Sequence, residues 1–281
     1  MPRPLLSATE LLASHGASNI LICDCSYSLA DPEAGRAAWA AGHIPGAVHL
    51  DLHHDMAGAK TGFNGRHPLP DPQRLAARLG GLGADGDTLI VAYDGMGGMY
   101  AARLWWLLRW LGHAHAVVLD GGLSVWKAAG GPLETAEPAR RPARTFPVRA
   151  SRVGVADLDE VRRLDADSVV VDARSADRFR GENETIDPVP GHIPGARNRP
   201  FGQNLTDGGR FKSPERLRQE WSEFLANAPP NATIHQCGSG VTACVNLLAL
   251  EVAGLPGGRL YPGSWSEWCA QPGAVVAIGP A

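Results

Sequence analysis

The chain reads as an α/β protein made of two copies of one domain, each a mainly parallel sheet with helices on both faces. Three observations predict this. The stretch Ala41-Gly42-His43-Ile44-Pro45-Gly46-Ala47 returns as Pro190-Gly191-His192-Ile193-Pro194-Gly195-Ala196. Short apolar strands alternate with helical stretches in both halves, the pattern of a layered parallel sheet. A length of 281 residues also suits two domains better than one. The expected division is residues 1–133, a Pro- and Arg-rich linker over 134–150, and residues 151–281.

The elements follow in the same order in each half, offset by about 145 residues. Ile20-Leu21-Ile22-Cys23-Asp24 and Val169-Val170-Val171-Asp172 are apolar runs ending in aspartate, read as buried strands. The Gly-His-Ile-Pro-Gly-Ala turns come next. Helices opened by proline follow, at Pro72-Gln73-Arg74-Leu75 and Pro214-Glu215-Arg216-Leu217. A strand then runs into a glycine-rich turn, at Leu89-Ile90-Val91-Ala92-Tyr93-Asp94-Gly95 and at Thr233-Ile234-His235-Gln236-Cys237-Gly238. Each half closes on a Trp-bearing stretch, Leu119-Asp120-Gly121-Gly122-Leu123-Ser124-Val125-Trp126 and Tyr261-Pro262-Gly263-Ser264-Trp265-Ser266-Glu267-Trp268.

Composition excludes several classes. The net charge is −3 with both signs interspersed, which gives no electrostatic case for nucleic acid or an anionic membrane as a partner. The opening residues Met1-Pro2-Arg3-Pro4-Leu5-Leu6 lack the apolar run of a secretion signal, and no segment has the length to span a bilayer. Five cysteines, Cys23, Cys25, Cys237, Cys244 and Cys269, form an odd and sparse set. That favours free thiols in a reducing, cytoplasmic setting.

Cys237 is the residue to which the sequence assigns chemistry. It lies between a short strand and an Ala-rich helix, with Gly238 and Gly240 allowing a tight turn that aims several N–H groups at one point. Amide donors and a helix N-terminus favour thiolate over thiol. Open parallel sheets bind ligands at the carboxyl ends of their strands, where this cysteine falls, and a cleft between two such domains is the expected site. Cys244, two helical turns on, reads as a buried structural residue.

The duplication serves as an internal control. His43, His192, Asp24 and Asp172 occur in both halves and read as architecture. Asp94 stands where the second half has Cys237, so the first half is expected to be silent. Arg178 has no counterpart in Ser28-Leu29-Ala30-Asp31 and points to an anionic substrate held by a guanidinium. A solvated surface arginine is the alternative reading of Arg178, and it weighs more for Arg174 and Arg180. His49, Asp51, His53, His54 and Asp55 are dense enough to suggest zinc, but no cysteine joins them at ligand spacing. No metal or cofactor is expected.

Over nearly its whole length the chain resembles the two-domain rhodanese family of sulfurtransferases, most closely those acting on 3-mercaptopyruvate. The loop Cys237-Gly238-Ser239-Gly240-Val241-Thr242, the paired Gly-His-Ile-Pro-Gly-Ala segments and Tyr261–Trp268 carry the resemblance. Thiosulfate-using members typically place Arg and Lys after the cysteine; Gly238 and Ser239 remove that charge here. The resemblance implies a ping-pong reaction. Cys237 takes sulfur from a small-molecule donor as a persulfide, pyruvate leaves, and a thiol such as reduced thioredoxin, or cyanide, accepts the sulfur. It implies that Cys237 and Ser239 are catalytic and that Arg178 binds the donor carboxylate. The N–H groups of Gly238, Gly240, Val241 and Thr242 would hold the terminal sulfur. His67 would work with Ser239, and Tyr100 would line the cleft.

Two positions depart from the family pattern. A second substrate arginine is missing from Asn183–Pro190, and the aspartate that would orient His67 falls at His53, with Asp51 and Asp55 nearby. Thiosulfate transfer, or a sulfur-carrier module without turnover, is the alternative. A cysteine phosphatase is disfavoured because the arginine such a loop needs falls at Ala243.

Overall fold

The computed structural model describes residues 3–164, 168–226 and 228–280; the outer bounds of the two halves, Met1 and Ala281, lie outside them. The chain forms two compact units. One comprises Met1–Ala57, Pro70–Arg152 and Asp207–Phe211; the other comprises Gly58–Leu69, Val153–Thr206 and Lys212–Ala281. The units are therefore not contiguous stretches. Gly58–Leu69 precedes two of the first unit's five strands in sequence yet folds with the second unit.

In the first unit the strands are β1 (Leu5–Leu6), β2 (Ile20–Asp24), β3 (Val48–His49), β4 (Leu89–Tyr93) and β5 (Ala116–Leu119). They alternate with helices α1 (Ala8–Ser14), α2 (Ala34–Ala41), α3 (Pro72–Gly81), α4 (Ala101–Trp110) and α5 (Gly122–Ala128). The sheet order is β1-β5-β4-β2-β3 with parallel pairings. Strand alternation explains how both faces are covered. Val91 and Tyr93 of β4 join Leu11, Val125 and Trp126 in one core. Ile90 and Ala92 point the other way and are equally buried.

The second unit repeats the plan. Strands β6 (Gly154–Val155), β7 (Val169–Asp172), β8 (Arg197–Asn198), β9 (Thr233–Gln236) and β10 (Arg259–Leu260) stand in the order β6-β10-β9-β7-β8, again parallel. The helices are α6 (Leu158–Arg162), α7 (Ala176–Arg180), α8 (Pro214–Leu225), α9 (Ala243–Val252) and α10 (Ser264–Trp268). Val170, Ile234, Phe179, Tyr261, Trp265 and Trp268 fill one face. On the opposite face His235 meets the ring of Trp221 from α8 edge-on at 5.7 Å.

The paired turns are superposable in chemistry. His43 Nδ1 bonds the carbonyl of Trp39 and His192 Nδ1 that of Phe179, both at 2.8 Å, so each imidazole ties a helix to the turn after it. Each ring stacks on the same aromatic residue it bonds. Gly46 and Gly195 adopt φ of +78° and +79°, a conformation that excludes a β-branched residue. Residues 134–150 are fastened along the first unit: Glu134 bridges His43, Arg144 N–H donates to Gly80, Arg149 N–H to Leu111, and Phe146 is buried.

His235, on the strand that leads to Cys237, makes stability depend on pH. Burial lowers its pKa from 6.5 to about 3. Between those values the unfolded chain takes up a proton that the folded chain refuses, so stability is full above pH 6.5 and is lost as pH falls. Lowering pH from 7 to 5 is expected to cost about 2 kcal/mol through this residue. Urea unfolding of the wild type and of His235→Gln at both pH values checks it; equal slopes in the two proteins would refute the assignment.

Candidate active site

The last residue of β9 is Gln236, and Cys237 follows at once, at the carboxyl end of the central region of the sheet. Cys237 is 3% exposed and Ser239 4%. The loop is moulded by the turn that opens α10. Ser264 Oγ accepts from Cys237 N–H at 3.2 Å, Trp265 N–H donates to the Cys237 carbonyl at 3.0 Å, and Ser266 N–H donates to the Gly238 carbonyl at 2.9 Å. Ser264 itself is held in the left-handed region, at φ 56°. Gly240 has φ +74°, and a Cβ there would lie 2.5 Å from the Pro262 carbonyl oxygen, so only glycine fits. Val241 and Thr242 complete the loop and lead into α9, whose ten residues direct their N-terminus at it.

The first unit has a loop at the matching position. Asp94 follows β4 as Cys237 follows β9. Its carboxylate accepts from the N–H groups of Met96, Gly98, Tyr100 and Ala101 at 2.7–2.9 Å. The loop is a cradle for an anion, filled here by the chain's own side chain. Burial raises the Asp94 pKa against the pull of these four donors. Tyr100 belongs to this arrangement: it is buried, caps α4 and packs edge-on against Tyr27 at 5.5 Å.

In the second unit, His67 Nδ1 lies 2.7 Å from Ser239 Oγ, with both groups buried. Arg178 is placed beside the loop but is not a lone cation. Its Nε and Nη2 engage Glu184 at 2.8–3.2 Å, and Nη2 reaches Asp187 at 3.2 Å. Arg174 corrects the expectation of a solvated surface residue. It is 2% exposed, bonds Asp172 through Nε and Nη2, reaches Glu184, and lies over the Trp265 ring at 4.9 Å. Burial works against its charge, but Asp172, Glu184 and Cys237 together raise its pKa. Arg180 does sit at the surface, paired with Glu182.

Sequence reasoning missed Arg66, Glu184 and Asp187. Asn183–Pro190, which lacks the family arginine, supplies two carboxylates instead. Burial drives the Glu184 carboxyl upward, yet the Arg178 guanidinium and the N–H groups of Ile186 and Asp187 hold it below its ordinary value. Burial raises Asp187 in spite of its pair with Arg66. Three arginines thus face three acids, a network in which removing one partner strands a buried charge. The only early signal for Arg66 was its position next to His67.

The suggested zinc set is used otherwise. His49 Nε2 bonds the Ser26 carbonyl, Asp51 caps the N–H groups of His53 and His54, His53 meets the Tyr27 hydroxyl, and Asp55 pairs with Arg78. Among the described residues no group of three or more His, Cys, Asp or Glu side chains is placed to hold a metal, and no helix is long and apolar enough to cross a membrane.

Duplicated parallel α/β units, one with a buried cysteine directly after its central strand and one with a carboxylate held by four N–H groups at the matching position, define a two-unit α/β protein with a single candidate thiol site. Residues 7–129 and 157–271 match the rhodanese-like domain. The chain belongs to the rhodanese family. It is 46% identical over 279 residues to the probable 3-mercaptopyruvate sulfurtransferase of Pseudomonas aeruginosa, covering 98% of each chain. It is 36% identical to a putative thiosulfate sulfurtransferase of Mycobacterium tuberculosis, over 99% of this chain and 98% of the other. Among solved structures, the 3-mercaptopyruvate sulfurtransferase from Leishmania major superposes with a TM-score of 0.84 at 33% identity, over 95% of this chain and 75% of that one.

Proposed function

We propose that the protein is a 3-mercaptopyruvate sulfurtransferase working through a persulfide on Cys237. The Cys237 thiolate attacks the donor sulfur, the donor's C–S bond breaks, and its electron pair leaves on carbon as the enolate of pyruvate. The donor's thiol proton moves to that carbon, which releases pyruvate and leaves Cys237 bearing S–S⁻. An acceptor then takes the outer sulfur and returns the thiolate: cyanide leaves as thiocyanate, and a thiolate, such as that of reduced thioredoxin, leaves as a persulfide. The N–H groups of Gly238, Gly240, Val241 and Thr242 hold the negative outer sulfur, as the equivalent loop holds the Asp94 carboxylate. A cytoplasmic, reducing setting suits this chemistry, and all five cysteines are free.

The observation that carries the choice of donor is the 2.7 Å contact between Ser239 Oγ and His67 Nδ1. A carbon leaving group needs a proton, and this pair, whose serine is two residues along the loop from Cys237, suits its transfer. Thiosulfate releases sulfite with no proton transferred, and it is a dianion that a loop bearing Gly238 and Ser239 does not neutralise. Sulfur transfer to cyanide from 3-mercaptopyruvate and from thiosulfate should be measured side by side. The expected kcat/KM favours 3-mercaptopyruvate by about 100-fold or more, the scale of one acid–base pair. A preference for thiosulfate would overturn this reading, and turnover of neither donor would favour a carrier role.

A further inference from the structure

We propose that Arg66 is a donor-binding residue: its guanidinium and that of Arg178 flank Gly238 and together receive the anionic end of the sulfur donor. The proposal rests on the sulfurtransferase reading above and adds a specificity residue to it.

The backbone around Arg66 is locked to the turn that moulds the cysteine loop. Arg66 N–H donates to Ser266 Oγ at 2.9 Å, and Gln271 Nε2 donates to the Phe63 carbonyl at 2.9 Å. Gly65, at φ +84°, lies so close to Gly263 that a Cβ would come within 2.6 Å of its carbonyl oxygen. Ser266 also holds the Gly238 carbonyl through its own N–H. One short turn therefore fixes both the loop and the arginine beside it.

The guanidinium is aimed at the same point. A Cβ on Gly238 would meet Arg66 Nη2 at 2.9 Å, Arg178 Nη2 at 3.5 Å and Asp187 Oδ2 at 3.6 Å. The lack of a side chain at Gly238 thus lets two cations and one carboxylate close on this point, next to Cys237. Arg66 Nη1 is paired with Asp187, while its Nε is buried without a hydrogen-bond partner. Of the three arginines in the network, Arg174 is sealed, at 1% side-chain exposure, whereas Arg66 and Arg178 keep 20% and 18%. These two are the cations a ligand can reach. In 3-mercaptopyruvate only two carbons separate the sulfur from the carboxylate carbon, so a donor with its sulfur at Cys237 brings its carboxylate to the residue next along. Two guanidinia there carry more N–H donors than Asp187 and Glu184 consume. Glycine at 238 is then required because a side chain there would press on the Arg66 guanidinium.

The test uses the full chain and two donors with cyanide as acceptor. One is 3-mercaptopyruvate; the other is 1-mercaptopropan-2-one, the same α-keto thiol with a methyl group in place of the carboxylate. Arg66→Met should lower the ratio of kcat/KM for the acid over the ketone by about 10- to 100-fold, mostly through KM, as loss of a hydrogen bond to a charged group does. Arg66→Lys, which keeps the charge but not the fork, should recover part of the ratio. Arg66→Gln provides the same reading if Arg66→Met fails to fold. An equal loss with both donors would mean that Arg66 only supports Asp187, and an unchanged ratio would mean that it binds nothing; either result overturns the proposal. If the wild type works from thiosulfate and not from 3-mercaptopyruvate, the choice of donor falls separately. Arg66 is then judged on the KM for thiosulfate, and a value unchanged in Arg66→Met overturns it.

Discussion

Replacing Cys237 by serine should lower sulfur transfer from 3-mercaptopyruvate by a factor on the order of 10⁴ or more while leaving the protein folded. A serine hydroxyl at this position is not ionised near neutral pH, and oxygen is a far weaker nucleophile toward sulfur than thiolate. The loop does not need the sulfur to keep its shape. It is held by the Cys237 N–H on Ser264 Oγ and by the Cys237 carbonyl on Trp265 N–H, and serine keeps both bonds. Cys237 has little room to spare at 3% exposure, and serine is the smaller residue, so no clash arises. Two measurements check this: steady-state transfer to cyanide, and intact mass after a single exposure to donor. The wild type should gain one sulfur atom and Cys237→Ser none. A variant that still gained sulfur would place the persulfide on another thiol and remove Cys237 from the mechanism.

The second large effect is on stability. Trp265→Ala should cost about 3–5 kcal/mol, the range for deleting a buried aromatic side chain. Trp265 is fully buried in the second unit's core with Phe179, Tyr261 and Trp268. Its indole N–H donates to the Val189 carbonyl at 2.9 Å, and its ring lies under the Arg174 guanidinium at 4.9 Å. Truncation opens a cavity, strands a carbonyl and removes the π face beneath a buried cation. The backbone N–H of the same residue holds the Cys237 carbonyl, so a shift of α10 into the cavity would also disturb the loop. Urea unfolding at constant m-value measures the loss. A change below about 1 kcal/mol, the size of a surface substitution's effect, would show that the ring is not a keystone of this core.

How much of this was legible beforehand follows from the range of the forces involved. The duplication, the buried strands and the turn glycines are local patterns, and each half repeats them. Periodicity and backbone sterics act over a few residues, so a sequence alone carries them. The cysteine at the strand end was legible for the same reason, and so was the aspartate, Asp94, at the matching position of the first half. Its backbone cradle, four N–H groups on one carboxylate, emerged only in three dimensions. The Ser239–His67 pair, 172 residues apart, was anticipated through resemblance and not through spacing.

The charges behaved differently. Arg174 read as surface because arginine is rarely buried, yet Asp172, Glu184 and Trp265 make its burial tolerable. Arg66 had no signal of its own, since its partner Asp187 is 121 residues further on. The sequence by itself determined the duplicated α/β plan and the place of Cys237 at a strand end in one half only. The tertiary structure alone decided which charges are buried, which remain reachable, and that Gly58–Leu69 folds with the unit it does not adjoin in sequence. Backbone conformation is a short-range property of neighbouring residues, whereas the cost of a charge is set by whatever the fold brings around it.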